Sequence, residues 1–111
     1  MRRRLTDADH WLRSQLERDF QRSVVEAATA LGWQCWHDND PRRNKAGFLD
    51  LLLIRERVVW AELKTETGRL RPAQQVFMCL LRRAGQECYV WRPSQMDEII
   101  AVLTARKGGG G

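Results

Sequence analysis

No stretch of this sequence approaches the ~20 consecutive apolar residues that a membrane-spanning helix needs. The basic start "MRRRLTDADH" lacks the apolar segment of a secretory signal. Cysteine is scarce. Cys35, Cys79 and Cys88 are odd in number, stand far apart and contain no CxxC pair. That argues against a disulfide framework or a zinc site, and for reduced residues in the core. There is no internal repeat. These absences predict a soluble, cytoplasmic protein with no membrane partner.

What is present fits a single compact domain. A chain of 111 residues with 43% hydrophobic content buries roughly 65% of its unfolded surface. The formal net charge is +5 and the pI about 9.7, which favours an anionic partner, nucleic acid first. Residues 1–105 read as the domain. The tail 106–111, "RKGGGG", reads as low-complexity and disordered.

The periodicity predicts a helix from Thr6 or Asp7 to about Leu31. Its apolar face carries Leu16, Phe20, Val24, Ala27, Ala28 and Leu31. Gly32 is a natural stop. A short strand over Trp33 to His37 follows, then a polar loop holding Pro41 and Gly47. Phe48 to Ile54 and Val58 to Lys64 read as two strands around a tight "RER" turn. Pro72 opens a helix that runs to Ala84. Glu87 to Trp91 is a strand, and "SQMDEIIAVLTA" a final helix capped by Ser94. The order is α β β β α β α. The first three strands are expected to be antiparallel. The fourth, after a helical crossover, is expected to run parallel to a neighbour. Trp33, Trp36, Trp60 and Trp91 all read as strand and core residues.

Charges interrupt this apolar pattern. With "RER" as a three-residue loop, Ile54 faces Val58, Leu52 faces Trp60, and Asp50 faces Glu62. Facing residues have Cβ atoms about 4.5–5.5 Å apart. Strand alternation adds Lys64 to the same face. Two facing carboxylates repel, and buried charges without partners are costly. A Mg²⁺ ion would relieve both, because it takes carboxylate oxygens and keeps several waters. Metal-assisted phosphodiester hydrolysis needs such a site. The lysine could orient or help deprotonate the attacking water and offset charge at phosphorus. A plain ion pair of Lys64 with Glu62 or Asp50 remains an alternative from spacing alone.

"GFLD…AELK" resembles the motif of the PD-(D/E)XK nucleases, with Asp50 as its Asp and Glu62-Leu63-Lys64 as its E-x-K. The wider string resembles the VRR-NUC (virus-type replication-repair nuclease) domain family. It comprises "ERDFQRSVVEAATALGW", "WHDNDPRRNKAGFLDLLLI", "AELKTETGRLRPAQQVFMCLLRRAG" and "YVWRP". Leu49 stands where that family usually has Pro, and Arg71 where it has Ser or Thr. The resemblance implies a restriction-endonuclease-like α/β fold, an αβββαβ core with a mixed sheet flanked by helices. It also implies a metal-dependent endonuclease. Asp50, Glu62 and the Leu63 carbonyl would hold Mg²⁺ or Mn²⁺, with Lys64 serving the water. A helix glutamate would assist, and Gln74 matches the family's glutamine. Helical spacing favours Gln74 over Gln75, since Gln74 shares a face with Phe77, Met78 and Leu81.

Glu17 and Glu26 are the candidates for the helix glutamate. At about 100° per residue, Glu17 lies about 60° from Phe20 and Glu26 about 120° away on the other side. Glu17 is therefore the expected ligand, and Glu26 a surface partner of Arg22. Arg42, Arg43 and Lys45, which precede Asp50, and Arg69 and Arg71, which follow Lys64, are placed to grip a DNA backbone. His37 is a further candidate contact. The expected activity is structure-specific cleavage of branched DNA such as Holliday junctions, in DNA repair or recombination in a bacterium or phage-infected cell. The expected active species is a homodimer, with Trp11, Leu12, Ile99 and Leu103 as candidate interface. The alternatives are a catalytically idle nucleic-acid-binding module and a flap or single-strand nuclease.

Overall fold

A computed structural model describes residues 4–37 and 47–106. The elements are α1 (Asp7–Ala30), β1 (Gln34–His37), β2 (Leu51–Ile54), β3 (Val58–Leu63), α2 (Pro72–Arg83), β4 (Glu87–Trp91) and α3 (Met96–Thr104). One sheet has the order β1-β2-β3-β4. The first three strands are antiparallel, and β4 runs parallel to β3. Ile54 pairs with Val58 and Leu52 with Trp60, the expected register. The Arg55 N–H donates to the Arg57 carbonyl at 3.0 Å and closes the three-residue turn.

The expected strand from Phe48 begins only at Leu51. The reason lies in the side chains. The Asp50 N–H donates to Glu62 Oε1 at 3.1 Å, and the Leu63 N–H donates to Asp50 Oδ2 at 2.9 Å. Carboxylates thus take the place of ladder partners at this end of the β2–β3 pair.

Helix α1 starts in a capping box. Asp9 N donates to the Thr6 hydroxyl at 3.1 Å, and Thr6 N donates to Asp9 Oδ2 at 2.9 Å. Its inner face buries Phe20, Val24 and Ala28 against Leu51, Leu53, Val59 and Ala61 of the sheet and Ile99 and Leu103 of α3. Leu16, expected on the buried stripe, is exposed. The helix has 24 residues, about 36 Å at 1.5 Å each. The strands have four to six, roughly 20 Å at most. The first half of α1 therefore overhangs the sheet. Ile99 and Leu103 are core residues and not available to an interface, while Trp11 and Leu12 are exposed.

On the other face, α2 packs Met78 with Leu49 and Cys88, joined by Trp60, Leu70 and Phe77. This cover stops short of β1, so Trp36 is exposed rather than core, whereas Trp33 and Trp91 are buried. Trp33 stands just before β1. Cys79 lies on the outer face of α2, against expectation, and all three cysteines are free. Gly47 has φ +90°, and a Cβ there would lie 2.5 Å from the Ala73 carbonyl. Only glycine lets the chain pass so close to the first turn of α2.

Ser94 does not cap α3. It lies in a short 3₁₀ turn, Pro93–Gln95, and bonds to Glu66 instead. The "RER" turn is also more than a turn. Arg55 donates to the Leu31, Leu103 and Ala105 carbonyls and stacks on Trp33. It thereby satisfies carbonyls at the C-terminal ends of α1 and α3.

Candidate active site

The β2–β3 hairpin and the first turn of α2 bring Asp50, Glu62, Lys64 and Gln74 together. Glu62 is 2% exposed and Gln74 1%. Glu62 Oε2 accepts from Gln74 Nε2 at 2.7 Å and lies 3.2 Å from Lys64 Nζ. Glu62 Oε1 accepts from the Asp50 N–H. Gln74 is fixed in turn, because its Oε1 accepts from the Arg71 N–H at 3.0 Å. It serves as a cap for α2 and as a holder of Glu62 at once.

Burial pushes the Glu62 carboxyl up to about 7, and the charge of Asp50 adds to this. The hydrogen bond and charge of Lys64 work the other way without cancelling the rise. The pair is therefore short of positive charge.

Leu63 completes the group. A residue's N–H and C=O point to the same side of a strand. The Leu63 N–H faces Asp50, and the next N–H, of Lys64, faces the Trp91 carbonyl at 2.9 Å. The Leu63 carbonyl accordingly points to the Asp50 side. Among the described residues no group of three or more His, Cys, Asp or Glu side chains converges to hold a metal ion. The donors on offer are two carboxylates and one carbonyl. That suits a hard ion that keeps several waters better than a tight protein cage.

These residues open into a cleft of about 820 Å³ between the overhanging half of α1 and the loop that follows Lys64. Glu17, Arg69 and Arg71 line it. Glu26 does not; it borders a separate hollow with Arg18, Arg22 and His37. Arg22 pairs with Asp19 at 3.6 Å rather than with Glu26. His37 does not line the main cleft either. Its Nδ1 meets Gln21 Nε2 at 3.1 Å, and it borders a neighbouring groove that shares Asp50. Arg42, Arg43 and Lys45 lie outside the described residues.

Sequence reasoning missed two parts of the site. Arg13 lines the cleft from α1. The cleft loop is pinned from the turn after β4: Arg92 donates to the Thr65 and Gly68 carbonyls, and the Ser94 N–H donates to Glu66 Oε1 at 2.6 Å. The string "YVWRP" carried that signal without revealing what its arginine does.

No protein-family profile matches the chain, and no curated protein does. A solved structure described as "VRR_NUC domain" is similar, with a TM-score of 0.66 and 26% identity. The similarity covers 77% of this chain and 94% of that one. The mixed four-stranded sheet with its three helices is the restriction-endonuclease-like fold. No helix among the described residues is long and apolar enough to cross a membrane.

Proposed function

We propose, from a chain that belongs to the VRR-NUC family and so is a nuclease-type domain, that the cleft hydrolyses phosphodiester bonds of DNA with the aid of Mg²⁺ or Mn²⁺. The observation that carries this reading is the buried Glu62 carboxylate beside the half-buried Asp50, with the Glu62 carboxyl held up to about 7. A divalent cation supplies the charge the pair lacks. Asp50, Glu62 and the Leu63 carbonyl would hold it, with Glu17 reaching it from α1 directly or through water.

When bound there, such an ion would supply Lewis-acid chemistry, polarising the phosphate and making a water a better nucleophile at neutral pH. The protein does the rest. Gln74 and the Asp50 N–H fix the Glu62 carboxylate, and the Leu63 N–H fixes that of Asp50. Lys64, on the same face, orients the attacking water and offsets the charge that builds on the phosphate. Arg69 and Arg71 hold the backbone from the cleft loop.

Branched DNA, with the four-way junction first, is the substrate we infer. Resolving a junction takes two symmetric cuts, and one chain has one such site. A twofold homodimer would supply two. The uncovered sheet face at Trp36 and Phe48 is available to a second copy.

The test incubates the protein with junction, flap, single-stranded and linear duplex DNA in Mg²⁺, Mn²⁺ or EDTA. Metal-dependent cleavage of the junction is expected. Cleavage of nothing in either metal would favour an idle binding module. Cleavage that survives EDTA would remove the metal from the mechanism. A monomer mass by light scattering, free and DNA-bound, would shift the substrate to a flap or single strand.

A further inference from the structure

We propose that the overhanging half of α1 reads an unpaired nucleotide of the DNA, with Leu12 and Leu16 against its base and Arg13 on its backbone. This rests on the nuclease reading above and deepens it: the nucleotide is one left or opened unpaired at the branch point. Leu12 and Leu16 are 52% and 57% exposed. Both line the cleft that holds Asp50, Glu62 and Lys64, together with Arg13 and Glu17. Positions 12, 13, 16 and 17 share one helical face. The face that puts Glu17 on the cleft wall therefore also puts two leucines and an arginine there. From Glu17 to Arg13 is four residues, about 6 Å of helix. That is close to two nucleotide steps of about 3.4 Å along a strand.

A wall that only gripped phosphates would be polar throughout. The opposite wall fits that description, with Arg69 and Arg71. The α1 wall does not, and exposed apolar patches of this kind mark binding surfaces. A continuous duplex offers such a wall phosphates and sugars, while its bases stay stacked and paired. An unpaired base has apolar faces to bury, and leucine is a side chain that proteins set against unstacked bases.

The charges agree. Arg13, Arg69 and Arg71 are positive on both walls. The Asp9 carboxylate accepts from Thr6 in the helix cap, and that of Glu66 accepts from Ser94. A second copy of this chain is the rival occupant, but seated here it would cover the carboxylates.

The test is fluorescence anisotropy in EDTA, where binding is read without cleavage. The probes are a labelled duplex and the same duplex interrupted by a few unpaired nucleotides. Wild type should bind the interrupted duplex about tenfold more tightly. Leu12→Ser with Leu16→Ser should erase that preference, and Arg13→Ala should weaken both probes. If the double variant fails to fold, Leu12→Ser alone carries the comparison.

Equal binding of the two probes by wild type would overturn the inference. So would a double variant that weakens both by one factor, or one that loses a dimer mass in light scattering, since the leucines would then hold a second copy. Cleavage without the preference defeats this inference alone. A preference without cleavage in any metal leaves it standing and defeats the hydrolase reading.

Discussion

Gln74 Nε2 donates to Glu62 Oε2 at 2.7 Å across the space between α2 and β3, and both side chains are buried. The amide ties two elements to one carboxylate. Its other end accepts the Arg71 N–H, so the start of α2 and the orientation of Glu62 are set by the same residue.

Gln74→Leu should therefore do two things. It strips one of the donors from a buried carboxylate, and it leaves the Arg71 N–H without its acceptor. Supporting residues of this kind typically cost 10–100-fold in activity or metal affinity, and we expect a loss of about that size in kcat/KM. Stability should fall by about 1–3 kcal/mol. Gln75→Leu is the control. Gln75 is exposed and reaches only the Leu70 carbonyl at 3.3 Å. Similar losses in both variants would mean that the helix start matters and the Glu62 contact does not.

The raised Glu62 carboxyl predicts a pH dependence of stability without metal. Its ordinary value is 4.5, and in the fold it stands near 7. Between those two values the folded chain holds a proton that the unfolded chain has released. Its contribution to stability is present below about 4.5 and is lost as pH rises towards 7. At about 1.4 kcal/mol per pH unit the loss amounts to a few kcal/mol. Urea midpoints in EDTA should fall between pH 5 and pH 8, and Glu62→Gln should flatten that fall. Mg²⁺ at pH 8 should restore the wild-type midpoint and leave the variant's unchanged. A variant that keeps the full wild-type slope would place the titration elsewhere.

Much of this was open to the sequence because the rules involved are local. A three-residue turn fixes the hairpin register as far as Leu51 opposite Ala61, and one step further along it stand Asp50 and Glu62, joined by the Asp50 N–H to Glu62 Oε1 bond. Gln74 follows from helical spacing. What escaped depends on contacts distant in sequence. Arg55 reaches the Leu103 carbonyl 48 residues away, and Arg92 reaches the Thr65 carbonyl 27 away. Nothing in "RER" or "WRP" distinguishes such arginines from surface charge. Leu16 failed for a different reason. Its periodicity is that of a buried residue, but the sheet ends before it, and strand length in space is invisible to helical spacing. The start of β2 slipped by three residues because Asp50 and Glu62 satisfy backbone groups with side chains, which no strand pattern records.

Asp50→Asn and Glu62→Gln should each abolish cleavage and leave the fold intact. Each removes one of two carboxylates crowded into a half-buried space, so the metal-free variants should be at least as stable as wild type. Lys64→Ala should lower kcat while DNA affinity largely survives, because the backbone is held from Arg69 and Arg71. Melting curves, binding isotherms and single-turnover cleavage separate the three effects. Wild-type turnover by any of these variants contradicts the assignment.

Glu17 and Glu26 provide the last contrast. They lie nine residues apart on α1, about 900° around the helix and so on opposite faces. Glu17 shares the cleft with Asp50, Glu62 and Lys64, whereas Glu26 borders a hollow with Arg18, Arg22 and His37. A carboxylate on the cleft wall adds a negative charge where a cation would sit, and so raises affinity for the ion more than for the DNA. Glu17→Gln should thus slow cleavage about tenfold or more and move the half-saturating Mg²⁺ concentration upward, with DNA binding in EDTA no weaker than in wild type. Glu26→Gln should change neither. The two variants differ from wild type by the same loss of one charge, so net electrostatics cannot explain a difference between them. If Glu26→Gln is the damaging one, the metal approaches from the other side of α1 and the cleft described here is not where the chemistry happens.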